Sequence, residues 1–395
     1  MNVQDAKIAL NPIQHRAQRE SGPLSLTRLG QGPQPRNIGN CGELGSCDPK
    51  PCAVMVLIVG FRNPQDICAC LTALARAKTE PSFDIFICEN GGSKSFRELF
   101  EALSNAEGPC ITVENELPAV PLGRLVQIKR LVLKGRSSRV EIALAERNLG
   151  YAGGVNAGID YLSKIPGWQG IWILNPDSQP EPDALSALVQ RSITANKGMV
   201  GSTILPVVGG DYIHCRGGLY WRKLIMRPAL LGYRQRINEP FDLEAMEDRL
   251  DCVSGASLYV SRKCLEQVGP MDERFFLYYE DADWGIRAKR YGLGYASASI
   301  VPHKGGTTIG SFNRSQLSVY LQSRNRILYI RMHFPRSLLW GSLLSLAYAM
   351  QYLLAGSPRN FKTALAGLWA GLKGEIGPPP PHIFAEISET LVSRN

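Results

Sequence analysis

The sequence predicts an α/β protein with a mostly parallel central sheet, preceded by a disordered N-terminal extension and followed by a helical C-terminal tail. Three observations carry that prediction. The apolar runs Ala53–Val59, Phe83–Cys88 and Ile171–Leu174 are nearly continuous rather than alternating, as strands covered on both faces must be. Each run ends in turn residues, and the first is followed by helically spaced Ile67, Leu71 and Leu74. At 395 residues and 44% apolar content, one domain of about 250 residues plus flanks is the natural partition.

Taken in order, residues 1–50 are rich in Gly, Pro, Gln and Arg and lack an apolar period, so disorder is expected, with no secretory signal visible in them. Residues 51–312 are expected to hold the main domain and 313–395 the tail. Ala53–Val59 reads as the first strand, Phe61-Arg-Asn-Pro64 as its βα turn, and Asp66–Ala77 as a helix. Phe83–Asn90 is the second strand, ending at Gly91-Gly92-Ser93. Arg124–Arg147 sets seven basic residues among alternating apolar ones, the pattern of a solvated edge hairpin. It has no aromatic interleaving, so nucleic acid is not an expected partner. Asn148-Leu-Gly-Tyr-Ala-Gly-Gly154, with Asn156 and Gly158, reads as a loop leading into a helix over Val155–Leu162. Its glycines let a backbone approach a ligand, and a helix start offers N–H groups to an anion, but many ordinary turns look alike.

Ile171–Leu174 is a short buried strand stopped by Asn175-Pro-Asp-Ser178. Asp183 is placed to cap the next helix, which leaves Asp177 over. A carboxylate at the carboxyl end of a central strand lies where open α/β sheets bind ligands, and a hard cation on a diphosphate would want that oxygen. Asp251–Val260 is a strand interrupted by small residues, Gly255 among them. The densest signal is Phe276-Leu-Tyr-Tyr-Glu-Asp-Ala-Asp-Trp-Gly-Ile286, where Glu280, Asp281 and Asp283 crowd behind aromatic residues. Two accounts stay open on that segment alone. First-turn acids favour the positive end of a helix dipole, and Asp283 with Arg287 makes an i,i+4 pair. A general base tuned by burial and a like charge would use the same residues.

These blocks, Asn148–Gly154 with Asn156 and Gly158, Asn175–Ser178, and Tyr278–Asp283 with Arg287, together resemble the family 2 glycosyltransferases. The resemblance is nearest to the rhamnosyltransferase-like branch that builds bacterial surface polysaccharides, and it covers Val54 to Arg331. It implies the nucleotide-diphospho-sugar-binding α/β domain called GT-A and inversion at the anomeric centre. It implies that Phe61, Glu89 and Asn90 flank the base and ribose, although the family has Asp where Glu89 stands and a small hydroxyl residue where Arg62 stands. Donor contacts are further implied for Asn148, Gly150, Gly153, Gly154, Asn156, Asn175, Asp177 and Gly255. Asp177 would hold Mg²⁺ or Mn²⁺ on the diphosphate, with His303 completing the metal site. Asp281 would be the base, with Glu280 second choice, while Asp283 and Arg287 orient their helix. Arg324 and Arg326, on the helical stretch after Ser315, would meet the diphosphate. At Gly255, close approach to a sugar ring and tight strand–helix packing both account for the small residue.

The net charge is +9. Ser337–Pro358 carries no charge and is bracketed by Arg331, Arg336, Arg359 and Lys362. Its length allows a bilayer span, but polar and small residues dilute it and the flanking charge has no asymmetry. A helix lying in the membrane interface is expected, with spanning or packing on the protein as alternatives. The ten cysteines lack zinc spacing and read as reduced buried thiols, hence a cytoplasmic chain at the inner membrane face. The function expected is transfer of a sugar, such as rhamnose, from a nucleoside diphosphate to a hydroxyl of a saccharide or lipid-linked acceptor. A sugar-nucleotide nucleotidyltransferase would want a Gly-rich basic loop where Phe61-Arg-Asn-Pro-Gln-Asp66 stands. A non-catalytic saccharide-binding or scaffold protein would tolerate loss of the acids that are intact here.

Overall fold

The computed structural model describes residues 53–113, 122–207, 212–305, 314–381 and 383, so the expectation for residues 1–50 lies outside the described residues. The chain runs through β1 (Val54–Gly60), α1 (Pro64–Ala75), β2 (Phe83–Glu89), α2 (Ser93–Ser104), β3 (Cys110–Thr112), β4 (Leu125–Leu133) and β5 (Arg139–Ala145). It continues with α3 (Gly150–Ser163), β6 (Gly170–Leu174), α4 (Ala184–Thr194), β7 (Met199–Pro206), β8 (Cys215–Arg216), β9 (Gly218–Arg222) and β10 (Arg227–Leu230). After α5 (Leu243–Arg249), β11 (Cys252–Val253), β12 (Ser257–Ser261) and α6 (Arg262–Val268) come α7 (Glu280–Ala288) and β13 (Leu293–His303). Three helices follow: α8 (Gln316–His333), α9 (Leu338–Leu354) and α10 (Pro358–Lys373).

The main sheet has the order β13-β7-β12-β6-β1-β2-β5-β4-β3. Its centre, β6-β1-β2-β5, is parallel, and antiparallel β12 and β4 bound it on either side. Every residue of β1, β2 and β6 is buried, because helices and loops cover both faces. Two apolar cores result, one on each face: Leu57, Phe86 and Val155 belong to the first, Ile58, Ile87 and Trp172 to the second. Strand order reverses at β1, which has β2 on one side and β6 on the other. A crevice at the carboxyl ends of these strands is the expected ligand position. A smaller sheet, β10-β9-β11, stands apart from this one.

Several local expectations need correction. Helix α1 starts at Pro64, whose missing N–H costs nothing at a first helical position. The Gly/Asn stretch is not a loop: α3 begins at Gly150, which puts Gly153, Gly154 and Gly158 inside the helix. They serve close packing, since a Cβ at Gly158 would fall 2.5 Å from Leu57 Cδ1 and one at Gly154 2.8 Å from Val59 Cγ1. The side chain of Asp183 makes no capping bond and pairs with Lys78 instead. The basic segment does form the hairpin β4–β5, but β5 is an inner strand and the charges are not simply solvated. Arg130 pairs with Glu141 at 2.8 Å, Arg139 with Asp84 at 2.6 Å and Arg124 with Glu273 at 2.8 Å.

Helix α9 inverts the usual pattern of a globular helix. Its buried residues are Gly341, Ser345 and Ala349, a stripe of small side chains at i,i+4 spacing. Leu339, Trp340, Leu343, Leu346 and Leu354 are exposed on the rest of its surface. Among the described residues, Pro335–Leu354 is the one helix long and apolar enough to cross a membrane, which by itself is weak evidence that it does. Helix α10 buries Gly367 and Gly371 against the backbone of α8, where added Cβ atoms would meet Tyr320 O and Arg324 O.

Candidate active site

Two cavities open at the carboxyl ends of the parallel strands. The first, about 480 Å³, is lined by Phe61 and Arg62 after β1, Asn90–Ser93 after β2, and Leu144–Asn148 at the end of β5. Phe61 is half-exposed, with the Arg62 guanidinium 5.2 Å from its ring centroid. Asn90 is buried and ties the cavity wall to α3, its Nδ2 donating to Gly150 O at 2.8 Å. Asn148 Oδ1 accepts from Gly150 N at 3.0 Å. Glu89 is turned away from this cavity. Its Oε1 accepts from Gly91 N at 2.7 Å and Arg62 N at 3.3 Å, joining the two turns, and burial pushes its carboxyl above the usual range. The structure therefore does not bring Glu89 to the position expected of a base or ribose contact.

The second cavity, also about 480 Å³, lies between β6, the small sheet, α7 and α8. Glu280 and Asp281 in the first turn of α7 line it together with Asn175, His303, Lys304, Tyr151 and Gly255. At one end, Asp177 Oδ1 lies 3.0 Å from His303 Nε2, and Asn175 Nδ2 is 3.2 Å from the same nitrogen. Gly305 N donates to the other oxygen, Asp177 Oδ2, at 3.0 Å. Burial raises the Asp177 carboxyl, but the bond and charge of His303 outweigh it and hold the group below its usual range. Asp177 and His303, assigned to one site from sequence, do come together. Among the described residues no set of three or more His, Cys, Asp or Glu gathers as a metal cage.

The acids of α7 fall into distinct environments. Asp283 is buried and fully occupied: Oδ2 accepts from Arg287 at 2.8 Å and Oδ1 lies 2.9 Å from His333 Nε2. It fastens the helix, as expected. Asp281 Oδ2 accepts from Gly255 N at 3.3 Å and Oδ1 from Ala282 N at 2.8 Å. Gly255 matters here, because a Cβ would stand 3.1 Å from that carboxylate oxygen. Burial pushes Asp281 up, partly opposed by those N–H groups. Glu280 is buried with Oε2 lacking a hydrogen-bond partner; burial and then the neighbouring Asp281 charge push it well above the carboxylate range. Burial raises both carboxyls, Glu280 further than Asp281, which keeps two backbone N–H partners.

The loop that presents this pair is strained. Phe276, Tyr278 and Tyr279 have φ of 65°, 71° and 77°, left-handed values that bulky residues avoid. Asn325 of α8, fully buried, shares its Nδ2 donors among the carbonyls of Phe275, Leu277 and Tyr278 at 2.8, 2.9 and 2.8 Å. Arg324 Nη2 donates to Phe275 O at 3.1 Å and its Nε to Asn325 Oδ1 at 2.9 Å. Arg324 is buried behind the loop and does not line the cavity, whereas Arg326 does. Gly150, with φ 73°, passes so close that a Cβ would sit 2.4 Å from Phe276 O.

Other candidates fall outside the cavities. Asn156 Nδ2 bonds Met271 O at 2.9 Å and Glu273 Oε1 at 2.8 Å, a tie between α3 and the segment before α7. Gly153 and Gly154 are buried within α3. Sequence reasoning missed Asn325, Arg227, Arg314 and Tyr151, all of which hold or line the second cavity. No sequence signal marked Asn325, which sits in the polar run Gln322-Ser-Arg-Asn-Arg326.

No protein-family model matches this chain. It is 30% identical over 197 residues to an N-acetylglucosaminyl-diphospho-decaprenol L-rhamnosyltransferase of Mycobacterium tuberculosis, covering 44% of this chain and 62% of the relative. It is 26% identical over 194 residues to a low-salt glycan biosynthesis hexosyltransferase of Haloferax volcanii, covering 48% and 60%. Over nearly half its length the chain is thus similar to two glycosyltransferases of glycan synthesis. Its own sheet has a parallel centre, with the two cavities at the strand ends. The chain spans about three fifths of the length of these relatives. Among solved structures, a mannosyltransferase of Pyrobaculum calidifontis in complex with GDP-Man and Mn²⁺ is 11% identical, with a TM-score of 0.43 over 88% of this chain and 82% of that one.

Proposed function

We propose that this chain is a family 2 glycosyltransferase and an inverting enzyme. It moves a sugar, a deoxyhexose such as rhamnose, from a nucleoside diphosphate to a hydroxyl of a saccharide or lipid-linked acceptor in surface-polysaccharide synthesis. The observation that carries the reading is the Glu280–Asp281 pair at the wall of a cavity that His303 also lines, with Asp177 Oδ1 3.0 Å from His303 Nε2. In this reading the first cavity takes the base and ribose against Phe61, Asn90 and Asn148. Asp281, ionised and held by Gly255 N, accepts the proton as the acceptor hydroxyl attacks. Glu280 stays protonated and keeps a second negative charge out of the site.

The donor set at Asp177 fits a divalent cation. One carboxylate oxygen and one imidazole nitrogen stand 3.0 Å apart, and diphosphate oxygens and water would complete the shell. When bound, Mg²⁺ or Mn²⁺ offsets charge on the departing diphosphate. Gly305 N fixes the carboxylate from behind, and Lys304 lines the same end of the cavity.

The outward apolar face of α9 supports a place at a membrane, at its cytoplasmic face. A helix that turns Gly341, Ser345 and Ala349 inward and its leucines outward suits lipid, with flanking Arg331, Arg336 and Arg359 at headgroup level. The decisive experiment is Asp281→Asn, which keeps shape and removes proton acceptance. Turnover is expected to fall by roughly two to four powers of ten while donor affinity holds. Near-normal turnover in Asp281→Asn with loss in Glu280→Gln would move the base by one residue, and normal turnover in both would refute the reading.

A further inference from the structure

Helix α7 carries acids on two sides. Asp281 lines the second cavity and Asp283 is buried behind it. Two positions along a helix are about 200° of rotation, so the two side chains leave α7 in nearly opposite directions. The helix has nine residues and follows a loop with three left-handed residues, so side-chain ties must fix its rotation. On one flank Trp284 Nε1 donates to Gly269 O at 2.8 Å, and Arg287 donates to Val268 O at 2.7 Å and Pro270 O at 2.8 Å. These bonds hold α7 to the turn after α6. Asp283 Oδ2 accepts from Arg287 of the same helix, which leaves Oδ1 for a partner from elsewhere. That partner is His333, the last residue of α8, with Nε2 2.9 Å away. A carboxylate only accepts, so His333 donates from its Nε2–H.

The His333 ring is itself held. Its centroid lies 4.8 Å from that of Tyr329, one turn back on α8. The next residue, Phe334, stacks on Trp221 of β9 with centroids 5.6 Å apart and planes 8° apart. The imidazole therefore sits where α8 gives way to the tail and ties that junction to the back of α7. A carboxylate about 5 Å from a helix axis moves about 1 Å when the helix turns by about 12°. An error of that size at a reacting group can cost about a hundredfold in rate.

We propose that His333 is a positioning residue: through Asp283 it sets the rotation of α7 and so aims Asp281 at the reacting hydroxyl. The inference rests on the transferase reading and adds to it a residue outside both cavities on which turnover depends. The test compares full-length wild type with His333→Phe, His333→Asn and His333→Gln. Phe keeps an aromatic ring without a donor, Asn has a donor that falls short, and Gln has a donor of similar reach. Steady-state release of nucleoside diphosphate from uridine, thymidine and guanosine diphospho-sugars, with water as acceptor, gives kcat and KM. Amide hydrogen exchange followed by mass spectrometry gives the protection of α7 against that of β1 and β2. The Phe and Asn variants are expected to lose roughly ten- to a hundredfold in kcat, with donor KM held and faster exchange confined to α7 and the loop before it. Gln is expected to recover all but a few-fold of that loss. Wild-type kcat in the Phe or Asn variant would overturn the proposal. So would an equal loss in Gln, which would assign the effect to ring packing on Tyr329, or a KM that rises as kcat falls, which would mean general loosening. Should the Phe variant fail to fold, the contrast between Asn and Gln decides. A wild type that turns over none of the donors would sink the transferase reading, and exchange in α7 would then decide by itself whether His333 holds the helix.

Discussion

Asn325 offers the sharpest test of how the fold serves the site. Three non-glycine residues of the loop ahead of α7 have left-handed φ, at about 1–2 kcal/mol each, so the surrounding structure must offset about 3–6 kcal/mol. The Asn325 amide does so through three carbonyls, of which Phe275 O alone has further donors, Arg324 Nη2 and Leu277 N. Asn325→Ala strips Leu277 O and Tyr278 O of that donor, at about 1–3 kcal/mol each before water enters. A net loss of about 2–4 kcal/mol is expected, within the total stability of a domain this size, so the chain should fold with its loop loosened. Urea unfolding reads the first quantity. Turnover against donor KM reads the second: turnover should drop as Asp281 loses its bearing, with KM held because the first cavity is untouched. Asn325→Asp keeps volume and the Arg324 bond but turns a donor toward carbonyls into an acceptor, so it should be at least as damaging as Ala. An Asp variant with wild-type stability and turnover would mean that aromatic packing of Tyr279 on Tyr329, ring centroids 5.5 Å apart, holds the loop instead.

Three further outcomes follow from the same geometry. The Glu280 carboxyl is held above its unfolded value of about 4.3, so the folded chain retains a proton and loses stability as pH rises from there through the raised value. Glu280→Gln should abolish that loss and melt above wild type at pH about 8 but not at about 4; an equal melting gap at both would refute the neutral-acid assignment. Asp177→Ala should weaken binding of the intact nucleotide sugar and remove any gain from added Mn²⁺, as read by calorimetry, whereas full activity of wild type in excess chelator would return Asp177 to a turn residue. Replacing Leu339, Leu343 and Leu354 with Gln, each worth about 1.5–3 kcal/mol when buried in lipid, should release the chain from sedimented membranes with nucleotide binding intact; retention would show that these leucines do not carry the attachment.

What the sequence disclosed was what depends on neighbours along the chain. Continuous apolar runs fix strands buried on both faces, and the acids of Glu280–Asp283 mark a helix start whatever else they do. Asp177 stood out because its position did not suit a cap, although Asp183, the residue expected to cap, pairs with Lys78 instead. The failures are tertiary. Gly153, Gly154 and Gly158 look the same in a phosphate loop and in a helix pressed on a strand, and only the packing on Leu57 and Val59 separates the two. Arg324 and Arg326 are two residues apart on α8, so they point in different directions: one is buried behind the strained loop, the other lines the cavity. Arg227 could not be found at all, because its partners arrive from α8 and α9.

Helix α8 joins the two halves of this account. One face carries Arg324 and Asn325 into the loop that aims Asp281; Arg326 reaches the cavity; the backbone at Tyr320 and Arg324 receives Gly367 and Gly371 of α10. Cutting the chain before Ser337 would therefore do more than remove a lipid-facing helix. It would uncover the part of α8 that α10 buries and loosen the residues that hold the strained loop. Loss of activity in such a truncation says nothing about membranes. Substitutions confined to the outer face of α9 leave Gly341, Ser345 and Ala349 in place against the protein and separate attachment from catalysis.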